Sequence, residues 1–382
     1  MIEDITIEED INNIEAIEEE IEDNYVNDDL YTISSRWADF SFRELISMYV
    51  DGDLLKPELQ RKYVWWKPEA SRFIDSVLLW LPIPSIFLAK TEDNKMLIVD
   101  WYQRLMTIHD YVRWTRTEDG RIFRLSNISW RIHEKWKNKA FSELDESEQR
   151  KIKTTTIHAI IFEQKHPKDN DTSLFQIFER INTSGRTLLP QEIRNCVYQW
   201  PLNSLLFELN KNPSRRTLFW NSWEDSRMRD LEYILRFFAL NTDSIRNNPK
   251  SNISLKKYLN EFMGSKKNNS EEMIHNFVKD FIQAINLIKN NIWDNSFYNV
   301  QSTDLTTIRK RFYPTIYDAI MIATSIAIRS GADTSIANEQ KRMELLRDQQ
   351  FRKYISEGTM QIEHINWRIN LALKYLYNIE ND

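Results

Sequence analysis

The residues with the clearest chemical potential lie in one short run, Asp100-Trp101-Tyr102-Gln103-Arg104. It follows an apolar segment, Lys95-Met96-Leu97-Ile98-Val99, and precedes a helical pattern carrying Leu105, Ile108, Tyr111 and Val112. A strand that turns directly into a helix aims free backbone N–H groups and the positive end of the helix dipole at one point. Arg104 in the first turn adds a planar fork that fits phosphate oxygens. Asp100 at the strand end is placed to hold a magnesium ion or to orient a sugar hydroxyl. The same residues have a plainer reading, in which Asp100 caps the helix and Arg104 pairs with a nearby carboxylate. Two further polar clusters stand apart in sequence. Gln60-Arg61 precedes Tyr63, Trp65 and Trp66, and Arg180 and Asn182 flank Ile181 ahead of Gly185, Glu192, Arg194 and Asn195. A fourth feature is basic and aromatic: Arg113, Arg116, Arg121, Arg124, Arg131, Lys135, Lys137 and Lys139 are interleaved with Trp114, Phe123, Trp130 and Trp136. That mixture suits phosphate contact with base stacking. It equally suits an amphipathic surface whose basic side chains lie along apolar neighbours.

Other chemistries find little support. No Gly-Lys-Ser/Thr phosphate loop and no Ser-His-Asp pattern is apparent. The histidines at 109, 133, 158, 166, 275 and 364 are scattered, with no pair at metal-ligand spacing, so the metal assignment is left unknown. His364 reads as a surface or packing residue and Cys196 as core. Glu163-Gln164-Lys165 at a strand end resembles a nuclease tripeptide, but tripeptides of this kind are common by chance.

The elements that must position these residues follow from periodicity. Ser41 is a helix cap ahead of Leu45, Ile46 and Tyr49. Residues 59–66 read as extended. Pro68 opens a helix carrying Phe73, Ile74, Val77, Leu78 and Leu81, stopped by Pro82. Residues 85–90 and 95–99 read as two strands joined by a polar turn. Residues 113–155 form an insertion without a dominant period, containing a short helix near 145–153. The apolar run 156–162 suggests a strand buried on both faces. A helix follows through Leu174, Ile177, Phe178 and Ile181. Beyond 200 the pattern is helical, near 226–240, 255–263, 271–292, 313–330, 338–355 and 361–378, with 315–328 apolar nearly all round and therefore central. The predicted class is α+β and predominantly helical: an acidic arm at 1–30, a small mixed-sheet module at 31–185 with the insertion 113–155, and a helical module at 186–382.

Composition bounds the function. The 382 residues are 41% hydrophobic and 12% aromatic, enough for a packed core and against wholesale disorder. Six glycines disfavour a glycine-rich β architecture. No run approaches ~18 apolar residues, so no membrane-spanning helix is expected. The acidic N-terminus, MIEDITIEED, does not read as a secretory signal. With one cysteine, a cytoplasmic location is expected. Of 57 acidic residues, 13 fall in residues 1–30, where no basic residue occurs; the remainder carries 51 basic against 44 acidic, a formal +7. The acidic arm reads as a solvated tail, or as a cover over a cation-rich groove that a polyanion would displace.

Taken in order, Leu59-Gln60-Arg61, Leu81-Pro82-Ile83-Pro84, Val99-Asp100-x-x-Gln103-Arg104-Leu105, and Phe178-x-Arg180-Ile181-Asn182-x-x-Gly185 with Glu192-x-Arg194-Asn195 resemble the N-terminal domain family of GmrSD-type restriction endonucleases. The resemblance covers about 38–200 by motif and implies a ParB/sulfiredoxin-like module. It implies a bacterial defence component acting on DNA, with a nucleoside triphosphate and Mg²⁺ as cofactors. Asp100, Gln103 and Arg104 match the family's Asp-Gly-Gln-Gln-Arg signature and would be its catalytic group. Gln60, Arg61, Trp101, Tyr102, Arg180 and Asn182 would surround the nucleotide, and Arg113, Arg116, Arg121, Arg124, Arg131 and Lys135 would meet DNA. Trp101 stands where the family has glycine, and Tyr102 where it has the first glutamine. An indole there blocks close phosphate approach or stacks on a base instead. The expectation is thus an altered pocket that binds rather than hydrolyses. An active nucleotide-dependent nuclease or NTPase, and a protein-binding regulator acting through the acidic arm, are the alternatives. The family's second, nuclease-type domain has no counterpart here. DNA is the expected partner and no membrane partner is expected, while a partner nuclease or defence subunit and homo-oligomerisation are left open.

Overall fold

The computed structural model describes residues 13–21, 32–55, 67–91, 93–99, 102–113, 122–128, 132–166, 172–181, 188–198, 200–219, 223–225, 227–248, 250–293 and 295–380. The chain forms two compact units, one comprising 29–188 with 195–199 and the other comprising 1–28, 189–194 and 200–382.

The first unit is built on a five-stranded mixed sheet of β1 (Thr32–Ser41), β2 (Leu54–Leu55), β3 (Ile86–Lys90), β4 (Met96–Ile98) and β5 (Thr156–His166), in the order β1-β5-β3-β4-β2. β5 runs antiparallel to β1 and parallel to β3, while β3 and β4 form the antiparallel hairpin expected from the polar turn. β5 is hydrogen-bonded along both edges, yet it is not buried on both faces. Ile157, Ala159 and Ile161 face the core, whereas Thr156 and His158 are exposed. A two-residue side-chain period puts alternate members of even an apolar run on opposite faces, and on the second face Phe162 of β5 stacks on Phe87 of the neighbouring β3 at 5.9 Å.

Local signals set the helices of this unit. Ser41 forms a reciprocal cap with Glu44: its hydroxyl accepts from the Glu44 N–H at 3.3 Å and its own N–H donates to the Glu44 carboxylate at 2.7 Å. The helix Phe42–Asp51 that follows buries Phe42, Leu45 and Ile46 and ends at Gly52, whose φ of 79° a side chain would resist. Ser41→Ala should lower stability by about 1 kcal/mol in urea unfolding; a loss below a few tenths would show that the cap contributes nothing. The helix Lys67–Leu78 stops before Pro82, in a turn that holds Trp80 at φ 59° and exposed. Leu81, expected on the buried face of that helix, lies beyond its end and is exposed. The insertion contains the expected helix, Glu146–Thr154, capped by Asp145.

The second unit is helical around Pro314–Arg329, which is buried on nearly all sides and packs against the helices Arg229–Leu240, Glu271–Asn291 and Ile362–Tyr377. The segment expected as one helix at 338–355 is two, Glu339–Arg347 and Gln349–Ser356. Asp348 separates them, and its carboxylate accepts from the Phe351 N–H at 2.8 Å. A short antiparallel pair, β6 (Tyr298–Val300) and β7 (Ile308–Phe312), completes the unit.

Part of the acidic arm belongs to this second unit. Ile14 bridges in parallel to Phe312, with Glu15 N–H to Phe312 O and Phe312 N–H to Asn13 O both at 2.8 Å. Ile17 is buried. Three arm carboxylates have fixed partners. Glu15 meets Arg309 at 3.0 Å and Arg311 at 3.4 Å, Glu19 accepts from the N–H groups of Gly358 and Thr359, and Glu20 pairs with Arg236 at 2.6 Å. Residues 13–21 are therefore a structural strap rather than a solvated tail.

Candidate functional site

In the sheet unit, β4 delivers the chain to Val99, whose N–H donates to Phe87 O at 2.9 Å. The helix Tyr102–Arg113 begins three residues later. At 100° per residue, Tyr102, Leu105, Ile108 and Tyr111 share the core face, and all four are buried. Tyr102 is thus a packing residue in this structure; burial, then its neighbour Tyr49, push its phenol far above the ordinary value. Gln103 and Arg104, turned away from that face, are half-buried in the first turn. The Gln103 carbonyl accepts from the Thr107 hydroxyl at 2.8 Å, which tightens the turn that follows. Farther along, His109 packs edge-on to Tyr49 at 5.3 Å and bonds Asp110 at 2.9 Å.

Asp100, Trp101, Gln60, Arg61 and Asn182 lie outside the described residues. Arg180 is exposed in the last turn of the helix Thr172–Ile181, two residues beyond buried Phe178.

The basic insertion divides. Arg116, Arg121 and Arg131 lie outside the described residues, and Arg113 is exposed at the end of its helix. Arg124 is held in a two-point pair with Glu143 at 2.6 and 2.7 Å, and it also donates to Asn138 O. Lys135 pairs with Glu148 and with Asp145. The hydrogen bond to Glu143 raises the Arg124 pKa, and that to Glu148 raises the Lys135 pKa. Phe123 and Trp136 do not present faces for base stacking. Both are core residues, and the Trp136 indole donates to Glu148 at 2.7 Å. An indole with a polar partner within reach can be buried at little cost, so interleaved aromatics here build a small core.

The motif residues Glu192 and Arg194 are structural members of the helical unit. Glu192 accepts from the Leu189 N–H and pairs with Arg227 at 3.0 Å. Arg194, buried, reaches Asn260, Gln191 and Glu232. They belong to a set of fully buried arginines that charge patterning did not reveal: Arg194, Arg215, Arg236, Arg342 and Arg368. Arg236 is the most heavily compensated, between Asp318 and Glu20, with Arg368 3.6 Å from Asp318. Burial works against its charge, but Asp318 and Glu20 outweigh that and hold its pKa well above the usual arginine value.

Fold and site together define a small α+β sheet domain, with Gln103 and Arg104 in the first turn of the helix that follows β4, and a helical unit. Residues 42–199 match the family described as GmrSD restriction endonuclease, N-terminal domain, the family that the ordered motifs suggested. No curated protein and no solved structure gives a significant match. Among the described residues no helix is long and apolar enough to cross a membrane.

Proposed function

We propose that the protein is the DNA- and nucleotide-binding component of a restriction or anti-phage system, with the turn between β4 and the helix Tyr102–Arg113 as its nucleotide site. The observation that carries this reading is the position of Gln103 and Arg104 in the first turn of a helix entered from a sheet strand. N–H groups at a helix start, the positive helix end and a guanidinium are together the donor chemistry that phosphate oxygens require. The family match over 42–199 supports a place in such a system. Trp101 beside this turn would stack on the base, and Asp100 is the carboxylate that would face a magnesium ion carried by the phosphates. Among the described residues no group of three or more His, Cys, Asp and Glu side chains is arranged to hold a metal.

DNA binding is tested by filter retention of duplex DNA across a salt series. Retention at low ionic strength that falls steeply as salt rises is expected for a site built on phosphate contacts. No retention at any salt would remove DNA from the proposal. A partner nuclease would act on the DNA that this chain holds. The alternative of an acidic arm that recruits a partner loses ground for residues 13–21, because Glu15, Glu19 and Glu20 are already engaged within the chain.

A further inference from the structure

The helical unit contains a polar cavity of about 470 Å³ that no part of the reading above uses. Arg309 enters it from β7, Arg352 from the helix Gln349–Ser356, Ser302 and Thr303 from the loop after β6, and Tyr313 from the start of the central helix. The single carboxylate in the lining is Glu15, brought in by the strap. Arg352 is half-buried, and among the described residues its guanidinium makes no ion pair or hydrogen bond. Arg309, by contrast, is bound to Glu15 at 3.0 Å, and Arg311 beside it at 3.4 Å.

We infer that this cavity is a binding site for a small oligophosphate-bearing ligand, and that Glu15 occupies part of it as an intramolecular competitor. Two guanidinium groups and a set of hydroxyls are the donor chemistry that phosphate oxygens require. Tyr313 adds a phenol that burial and the neighbouring Glu15 push up to about 12, so it keeps its proton to donate at neutral pH. The volume suits a nucleotide-sized ligand. Glu15 supplies to Arg309 and Arg311 the negative charge that a phosphate would otherwise supply. A ligand must therefore displace that carboxylate or share the two arginines with it. The strap stays attached meanwhile, because its anchors are the main-chain bridge to Phe312, buried Ile17, and the bonds of Glu19 and Glu20. The site lies wholly within the helical unit and does not depend on the turn at Gln103 and Arg104.

Calorimetric titration of the full chain with inorganic tripolyphosphate, and in a second arm with ATP, tests this. Glu15→Gln should bind tripolyphosphate at least about fivefold more tightly than the wild type, since it removes the competing charge and keeps the main-chain bridge. Arg352→Ala, alone and combined with Glu15→Gln, should weaken binding at least about tenfold. Lys353→Ala, which removes a neighbouring exposed charge outside the lining, should leave it within twofold. Tighter binding of ATP than of tripolyphosphate would identify a nucleotide; equal binding would identify the phosphate chain as what is recognised. Thermal melts of the variants matched to wild type separate loss of binding from loss of fold. If Glu15→Gln binds no more tightly than wild type, or folded Arg352→Ala binds as well as wild type, the inference is wrong.

Discussion

Asp318→Ala is expected to destabilise the helical unit by about 3–5 kcal/mol, the largest stability effect of any single substitution considered. Asp318 is fully buried, and it is the carboxylate between Arg236 and Arg368. Removing it leaves two guanidiniums in the interior with Glu20, at the strap, as the carboxylate still paired to Arg236 among the described residues. The penalty comes from uncompensated buried charge more than from the lost attraction. Glu20→Gln, which changes a more accessible partner, should cost less, about 1–2 kcal/mol. Urea unfolding followed by far-ultraviolet circular dichroism distinguishes the outcomes. An Asp318→Ala midpoint indistinguishable from wild type would mean that the arginine cluster is not held together by this carboxylate.

Arg104→Ala is expected to weaken nucleoside triphosphate binding by ten- to a hundredfold, equivalent to about 1.5–3 kcal/mol for lost charge-assisted hydrogen bonds. Arg104 is half-buried and stands off the core face defined by Tyr102, Leu105 and Ile108, so the fold should survive its truncation. Gln103→Ala should cost less, because a neutral amide contributes weaker bonds to phosphate than a guanidinium does. Equilibrium dialysis with labelled ATP and GTP, alongside a thermal melt, checks both. Equal affinities for wild type and folded Arg104→Ala would place the nucleotide elsewhere.

Sequence reading succeeded where the physics is local. Ser41 and Glu44 are three residues apart, and the cap they form depends on nothing else. The β3–β4 hairpin and the helix Glu146–Thr154 were legible for the same reason. Sheet order was not, because β5 pairs with β1 more than a hundred residues earlier and with β3 about seventy residues earlier. The expectation for β5 failed because an apolar run reports composition and leaves open which face a neighbouring layer covers. The segment 338–355 kept its helical period across Asp348, yet that side chain caps a new helix there. The largest misreadings concerned charge. Glu15, Glu19 and Glu20 looked like solvated residues in an acidic run, and nothing in the local sequence marked Arg194, Arg236 and Arg368 as buried. Each is satisfied by a partner far away in the chain, which no local window displays. Phe123 and Trp136 suggested stacking platforms because their spacing among arginines was visible while the carboxylates Glu143 and Glu148 that answer the basic residues were not yet placed. At the candidate site, the strand and the helix carrying Gln103 and Arg104 were legible. The burial of Tyr102 follows from its register with Leu105 and Ile108, a three-residue spacing that the sequence already contained.

The most direct test is photolabelling of the full chain with 8-azido-ATP, followed by peptide mapping in the presence and absence of excess unmodified ATP. The proposal predicts a competable adduct within residues 99–113, at the turn that delivers Gln103 and Arg104. Competable labelling confined to other peptides, or labelling that excess ATP does not suppress, would contradict it.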